Sequence, residues 1–219
     1  MAVPFLAHAE DANGHNGMYV TVGGGTVDFR GINPSNFEKS VMANPNFTTT
    51  SSMHTKSSDR QIGVGYHINK YVSIEGTYID GVSISTATTI TQYNGTTLNI
   101  MGNPVVIPAI PLNIVMRREA TLTAMQAAVL LKYPFMDDKV DVFARPAVTK
   151  YKGDIAYKLD IPNQQGISLY KKESDGGTAV SISFGADYYF AKNWGARVDY
   201  LGLGSKKVKM LTAAIEYQF

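Results

Sequence analysis

Cysteine is absent from the 219 residues, tryptophan occurs once, and charged residues make up only 17% of the chain. Without cysteine there is no disulfide scaffold and no thiolate metal site. A large excess of either charge is also missing, since 20 Lys and Arg stand against 18 Asp and Glu for a formal net charge of +2. That balance supplies no field strong enough to hold nucleic acid and no acidic signature of disorder. Long apolar runs are the third absence: no stretch of about 18 apolar residues occurs, which excludes membrane-spanning helices. Yet 44% of the residues are hydrophobic while mean hydropathy is only −0.09. Apolar side chains are therefore numerous but interleaved with polar ones, a composition open to the alternating strands of a transmembrane β-barrel.

The interleaving has a period of two. Ile62, Val64, Tyr66 and Ile68 share one parity, and Gln61, Gly63, Gly65 and His67 the other, which predicts a strand with two unlike faces. After the turn Asn69-Lys70 the pattern resumes with Val72, Ile74, Tyr78, Val82 and Ile84 on one face and Tyr71, Ser73, Glu75 and Thr77 on the other. Residues 180–190, 194–200 and 211–219 repeat the design, and residues 18–30, 119–133 and 140–150 complete a count of eight strands. Val20 and Val22 differ in parity from Val27 and Phe29, and a bulge in Gly23-Gly24-Gly25 would reconcile them. Residues 125–131 also satisfy helix propensity, but the turn at residues 134–139 and the strand that follows favour a hairpin. Pro146 fits a strand only at a bulge or near its end.

Short connections alternate with long ones at residues 31–58, 85–118 and 151–177 and a brief fourth near 204–206, all the long ones at one end. A soluble sandwich or lipocalin-like barrel would alternate similarly, with a charged outer face. Here Glu75, Asp141, Arg145, Asp187, Arg197, Asp199 and Glu216 share the polar parity with many Gly, Ser and Thr, while the apolar parity is almost free of charge. Lipid outside and a polar, filled interior produce that distribution, because a charge facing the bilayer midplane costs about 2–4 kcal/mol. Tyr66, Tyr133, Phe190, Trp194, Tyr217 and Phe219 near strand ends suit an interfacial girdle. At the other terminus, the apolar residues 1–9 end in Ala7-His8-Ala9, a small-x-small pattern similar to a signal-peptidase site, which divides the chain into a residual signal segment (1–9) and a barrel (10–219).

These strands resemble the small eight-stranded outer-membrane barrels of Gram-negative bacteria, of the OmpA transmembrane-domain, OmpX/Ail and opacity-protein type. The resemblance covers residues 18–219. Its most specific part is Leu211-Thr-Ala-Ala-Ile-Glu-Tyr-Gln-Phe219, similar to the terminal signal read by the barrel-assembly machinery through Tyr217 and Phe219. Tyr71-Val-Ser-Ile-Glu75-Gly-Thr-Tyr78 and Val140-Asp-Val-Phe-Ala-Arg145 look like family strands that carry interior charges. The resemblance implies an all-β, antiparallel up-and-down transmembrane barrel with short periplasmic turns and long extracellular loops. It also implies a monomer in the outer membrane, in contact with lipid and lipopolysaccharide, with adhesion, colonisation or another host or envelope interaction as its role. The alternative is a narrow channel for small solutes of the OmpW kind.

Chemistry finds little support. His8 lies in the signal segment, His15 in the N-terminal tail, His54 in the Ser/Thr-rich stretch 48–58, and His67 on the inward parity. Lipid A deacylases of this barrel size carry His-x-Ser, and neither His54-Thr-Lys nor His67-Ile-Asn supplies it. A non-enzymatic protein without metal or cofactor is therefore expected, and Gly23-Gly24-Gly25 lacks the Lys-Ser/Thr of a phosphate loop. Glu75, Arg145, Arg197, Asp199 and Glu216 are the candidates for an interior ion-pair network. An eight-stranded lumen has room for side chains alone, so a plugged barrel is expected, with the inner Gly and Ser keeping a gated pore open as the alternative. Residues 81–116 contain no charge, and Pro104, Pro108 and Pro111 forbid a regular helix there. Val105, Val106, Ile107, Ile110, Leu112 and Ile114 in this stretch, with Arg117 and Arg118 after it, either pack over the barrel mouth or form a surface-contact loop. Arg117, Arg118, Lys206, Lys207 and Lys209 form a basic rim that either holds lipopolysaccharide phosphates or sulfated host glycans, or is a solvated edge.

Overall fold

The computed structural model describes residues 17–29, 36–100, 103–160, 168–203 and 208–219; the signal segment, His8, His15, Lys206 and Lys207 lie outside them. In chain order the elements are β1 (Gly17–Phe29), α1 (Asn36–Met42), β2 (Phe47–His54), β3 (Lys56–Asn69), β4 (Val72–Tyr93), β5 (Thr96–Ile100), β6 (Asn103–Ile107), β7 (Ile110–Phe135), β8 (Val140–Asp160), β9 (Ser168–Ala191), β10 (Trp194–Leu203) and β11 (Val208–Gln218). Antiparallel pairing runs β4-β3-β1-β11-β10-β9-β8-β7, and β7 returns to β4. Eight strands thus close on themselves, and closure leaves that ring without a free edge. Tyr19 opposite Gln218 and Gly65 opposite Tyr19 place the first strand between the last and the second of the ring. The tight connections at residues 70–71, 136–139 and 192–193 share one end of the ring with Gly17 and Phe219.

Burial is inverted relative to a soluble protein. Val22, Ile62, Phe184 and Ile215 are 59%, 54%, 57% and 46% exposed, whereas Glu75, Asp141, Arg145, Asp187, Arg197 and Glu216 are buried. The soluble sandwich is therefore excluded: apolar faces point outward and ionised side chains point into the lumen. An outward belt of Tyr66, Tyr71, Tyr133, Phe135, Tyr188, Phe190, Trp194 and Phe219 surrounds the end with the short turns. Edge-to-face packing links Trp194, Tyr217 and Phe219, as suits amphipathic rings at a membrane interface. The chain at residues 119–133 is strand, within the longer β7.

Several local expectations change. β1 pairs without a register shift from Tyr19 to Phe29, so the three glycines form no bulge. A Cβ on Gly23 or Gly25 would stand 2.2 or 2.0 Å from a β11 carbonyl oxygen, which makes the triglycine the place where two strands approach closely. The bulge lies in β4 instead, where pairing skips between Ile79 and Val82 and Gly81 has φ +83°. It reverses the parity, so Val82 turns inward and is buried and Ile84 packs beside it, rather than both facing lipid. Pro146 occupies the middle of β8 and keeps its partner Ile182 on β9. On the β7 side the ladder is interrupted between Ala128–Ala147 and Leu131–Ala144, which accommodates a residue with no N–H to donate.

The stretches read from sequence as long loops are largely strand. β4, β7, β8 and β9 continue beyond the ring's short strands, and β2, separated from β3 by Thr55, pairs with the outer half of β4 from His54–Ser85 to Phe47–Tyr93. Between Met125 and Ile110 alone roughly 50 Å of β7 is available at about 3.3 Å per residue. A sheet of order β2-β4-β7-β8-β9 consequently rises above the side of the barrel opposite the short turns, and the separate β5–β6 hairpin connects β4 to β7.

Candidate functional site: the lumen and the raised wall

Inward parity brings the charged side chains into one layer near the turn end. Arg197 on β10 is its centre: Nε donates to Asp187 Oδ1 at 2.7 Å, Nη2 to Glu216 Oε2 at 2.8 Å, and Nη1 to Glu75 Oε2. Its guanidinium lies between the rings of Tyr19 and Phe143, 5.7 and 5.3 Å from their centroids. Glycine makes this sandwich possible, because a Cβ on Gly65 would meet the Tyr19 ring at 2.1 Å and one on Gly185 the Phe143 ring at 2.5 Å. Arg145 donates from Nη1 to Glu75 Oε1 at 2.8 Å, reaches Asp199 Oδ2 with Nη2 at 2.7 Å, and bonds Ser183 through Nε at 3.1 Å. Glu75 also accepts from Tyr19 and Thr77, both at 2.9 Å.

The five charges singled out from sequence, Glu75, Arg145, Arg197, Asp199 and Glu216, are thus held together by direct bonds or through Glu75. Sequence reasoning missed Lys132, whose Nζ lies 3.0 Å from Asp187 and 3.5 Å from Asp141 and donates to the Tyr189 hydroxyl at 2.8 Å. The usable signal was the parity Gln126, Ala128, Leu130, Lys132 on β7, obscured because Leu130-Leu131 and Tyr133 made the segment look uniformly apolar. Asp187, also outside that set, is the carboxylate that joins Arg197 to Lys132.

His67 is buried in the same region, stacked on Tyr19 at 4.2 Å, with Nδ1 2.7 Å from Ser73 Oγ and Nε2 3.2 Å from Glu216 Oε1. Ser, His and Glu are the components of a hydrolytic triad, but Ser73 has no exposed surface and Glu216 also serves Arg197, so no substrate carbonyl reaches the hydroxyl in this arrangement. Among the described residues no group of three metal-ligating side chains occurs. Above the ionic layer Gln126 Nε2 donates to Thr149 Oγ1 at 3.1 Å and Ser181 Oγ at 3.2 Å. Higher still, the lumen becomes apolar.

The surface-contact residues do not form one loop. Val105, Val106 and Ile107 lie on β6, whereas Ile110, Leu112, Ile114, Arg117 and Arg118 belong to β7 and are built into the raised wall. Val106 is 70% exposed. Arg117 and Arg118 point to opposite sides of the wall: Arg117 approaches Asp160 at 4.0 Å, and Arg118 stands 6.0 Å over the Tyr157 ring. His54 ends β2 instead of sitting in a loop. Beyond the barrel band on the wall, Asp154 accepts from the Ser174 hydroxyl and pairs with Lys172 at 3.4 Å, which holds its carboxyl below the usual range, the Ser174 bond being the main cause.

A closed antiparallel barrel with lipid-compatible walls, an ionised interior and one raised rim defines a membrane-spanning β-barrel protein. The description "Outer membrane protein beta-barrel domain" matches residues 1–219, and the chain belongs to that family, whose place is the outer membrane of Gram-negative bacteria. No curated protein matches the chain. Among solved structures it is similar to Neisserial surface protein A, at 12% identity over 92% of this chain and 97% of that one, with a TM-score of 0.45. It is also similar to the attachment invasion locus protein Ail of Yersinia pestis in complex with the heparin analogue sucrose octasulfate (10% identity, 93% and 99% coverage, TM-score 0.42). OprG from Pseudomonas aeruginosa matches at 13% identity over 95% and 99% of the two chains, with a TM-score of 0.41.

Proposed function

We propose that the protein is a monomeric, non-enzymatic surface-binding barrel whose raised wall and β5–β6 hairpin contact a host surface, matrix component or neighbouring envelope component. The observation that carries this reading is the division of the molecule: the lumen is filled across its width by bonded charges, while much of the strand length stands outside the membrane. A filled cross-section opposes the narrow-channel alternative, since solute passage would require separating Arg197 from three carboxylates in a site where stranding a buried charge is expensive. Ring closure within one chain supports a monomer. The aromatic end of the last strand, Tyr217 and Phe219, supports recognition by the barrel-assembly machinery, and lipopolysaccharide is the outer-leaflet lipid that would meet the outward face.

The test replaces residues 96–107 by a short Gly/Ser link, which leaves β4 and β7 intact. Cells displaying the full protein are expected to adhere to immobilised heparin-like glycan or extracellular matrix, and cells displaying the shortened hairpin to lose most of that adhesion. In planar bilayers the refolded protein should give no unitary conductance. Steady single-channel currents together with unchanged adhesion would overturn the reading in favour of the channel.

A further inference from the structure

The outer half of the lumen departs from the polar rule that governs the inner half. Val27, Ile79, Val82, Ala124, Leu201 and Met210, drawn from five strands, are buried there against one another. They border a cavity of about 270 Å³. Nothing about the lipid outside requires apolar side chains at this place, and the open end of a barrel faces water. The bulge at Asp80–Gly81 contributes directly, because it is what turns Val82 inward beside Ile79.

The cavity has a polar floor with an unmet valence. Gln126 and Thr149 line its base. The Gln126 amide nitrogen is engaged by Thr149 and Ser181, while its Oε1 is buried and accepts no hydrogen bond. A buried acceptor left bare is costly and uncommon. Below the floor the ionic layer closes the passage, so the cavity is a dead end and not a segment of a channel. At the rim Tyr151 is 37% exposed, and its hydroxyl lies 2.7 Å from where a Cβ of Gly177 would stand, so the ring lies over the adjacent strand β9 because that residue is glycine.

We propose that this chamber binds a small uncharged molecule with an aromatic or cyclic apolar body and a single N–H or O–H donor, entering from the extracellular side and donating to Gln126 Oε1. By scale with a 150 Å³ apolar cavity that accepts benzene, the body has about ten non-hydrogen atoms. The apolar walls supply contact with the ring, the bare amide oxygen selects the donor, and among the described residues no charged side chain lines the chamber, which disfavours ions. The site stands whether or not the raised wall binds a surface.

Two isosteres separate the parts of this proposal: 5-fluoroindole, with an N–H, and 5-fluorobenzofuran, without one. Fluorine NMR with the protein in lipid nanodiscs should show indole binding to the wild type, with benzofuran about five- to tenfold weaker for want of one hydrogen bond. Gln126→Leu should bring the two affinities together and leave benzofuran binding in place. Ala124→Phe should fill the chamber and remove the bound signal of both compounds, while partition into lipid remains as background. An identical signal from wild type and a folded Ala124→Phe barrel would overturn the site. Equal affinity of the two compounds for the wild type would overturn the role of Gln126, and should Ala124→Phe fail to fold, unchanged indole selectivity in Gln126→Leu overturns the proposal by itself.

Discussion

Arg197 shows how one side chain is fixed by neighbours on five strands. A guanidinium suits the site because its planar fork addresses Asp187, Glu75 and Glu216 in different directions while the Tyr19 and Phe143 rings lie within cation–π range of it. Arg197→Met should therefore take one ionic partner from each of three carboxylates, leaving Glu75 to Arg145, Asp187 to Lys132 and Glu216 to His67, and lower stability by about 3–5 kcal/mol, measured as the urea midpoint of the gel-mobility shift between folded and unfolded barrel. Gly65→Val, which places a Cβ within the Tyr19 ring's contact distance, should cost about 1–3 kcal/mol in the same assay. On the raised wall Asp154 offers a pH signature. Its folded carboxyl titrates below the unfolded value, so its contribution is present above the ordinary carboxylate range and is lost as pH falls through the folded value. Ser174→Ala should move the Asp154 titration upward, as followed by carboxyl carbon NMR. At this scale parity turned Glu75, Arg145 and Arg197 inward, but it could not say that the two arginines meet on Glu75 from strands far away in sequence, and Lys132 stayed hidden among its apolar neighbours although Asp141 lies just across the β7–β8 turn.

Individual elements were legible where lipid imposes alternation and obscure in the raised wall, where no acyl chains do. The strands around Ile62–Ile68 and Phe184–Phe190 follow a period of two because one face meets acyl chains. The outer parts of β4, β8 and β9, such as Ser85-Thr-Ala-Thr-Thr89 and Lys171-Lys-Glu-Ser-Asp175, have no such constraint, so their composition reads as loop although they pair as strand. The bulge was misplaced for a related reason: three glycines looked like the irregular point, whereas Asp80-Gly81 carried the register shift. The β7–β8 turn was correctly located but not its strain. Met136, Asp137 and Asp138 have φ of 52°, 56° and 60°, and the left-handed region disfavours a side chain by about 1–2 kcal/mol per residue. Met136→Gly should relieve part of this and raise stability by roughly 0.5–1 kcal/mol after the added freedom of the unfolded chain is counted.

For the whole molecule, orientation governs everything else. The same alternating strands with their faces exchanged would make a soluble barrel with a greasy centre and a wet, charged surface. In this protein the polar side chains are the ones enclosed, and the raised wall and the apolar chamber follow as features of a barrel that faces lipid around its middle and water at one end. The absence of cysteine makes a direct test clean. Ile62→Cys, Phe184→Cys and Ile215→Cys, each spin-labelled in nanodiscs, report by electron paramagnetic resonance whether the position meets acyl chains. With these residues facing lipid, accessibility to oxygen is high and accessibility to a water-soluble nickel chelate is low at all three. Labels immobilised against one another and shielded from oxygen would place these residues in a shared interior and contradict that orientation.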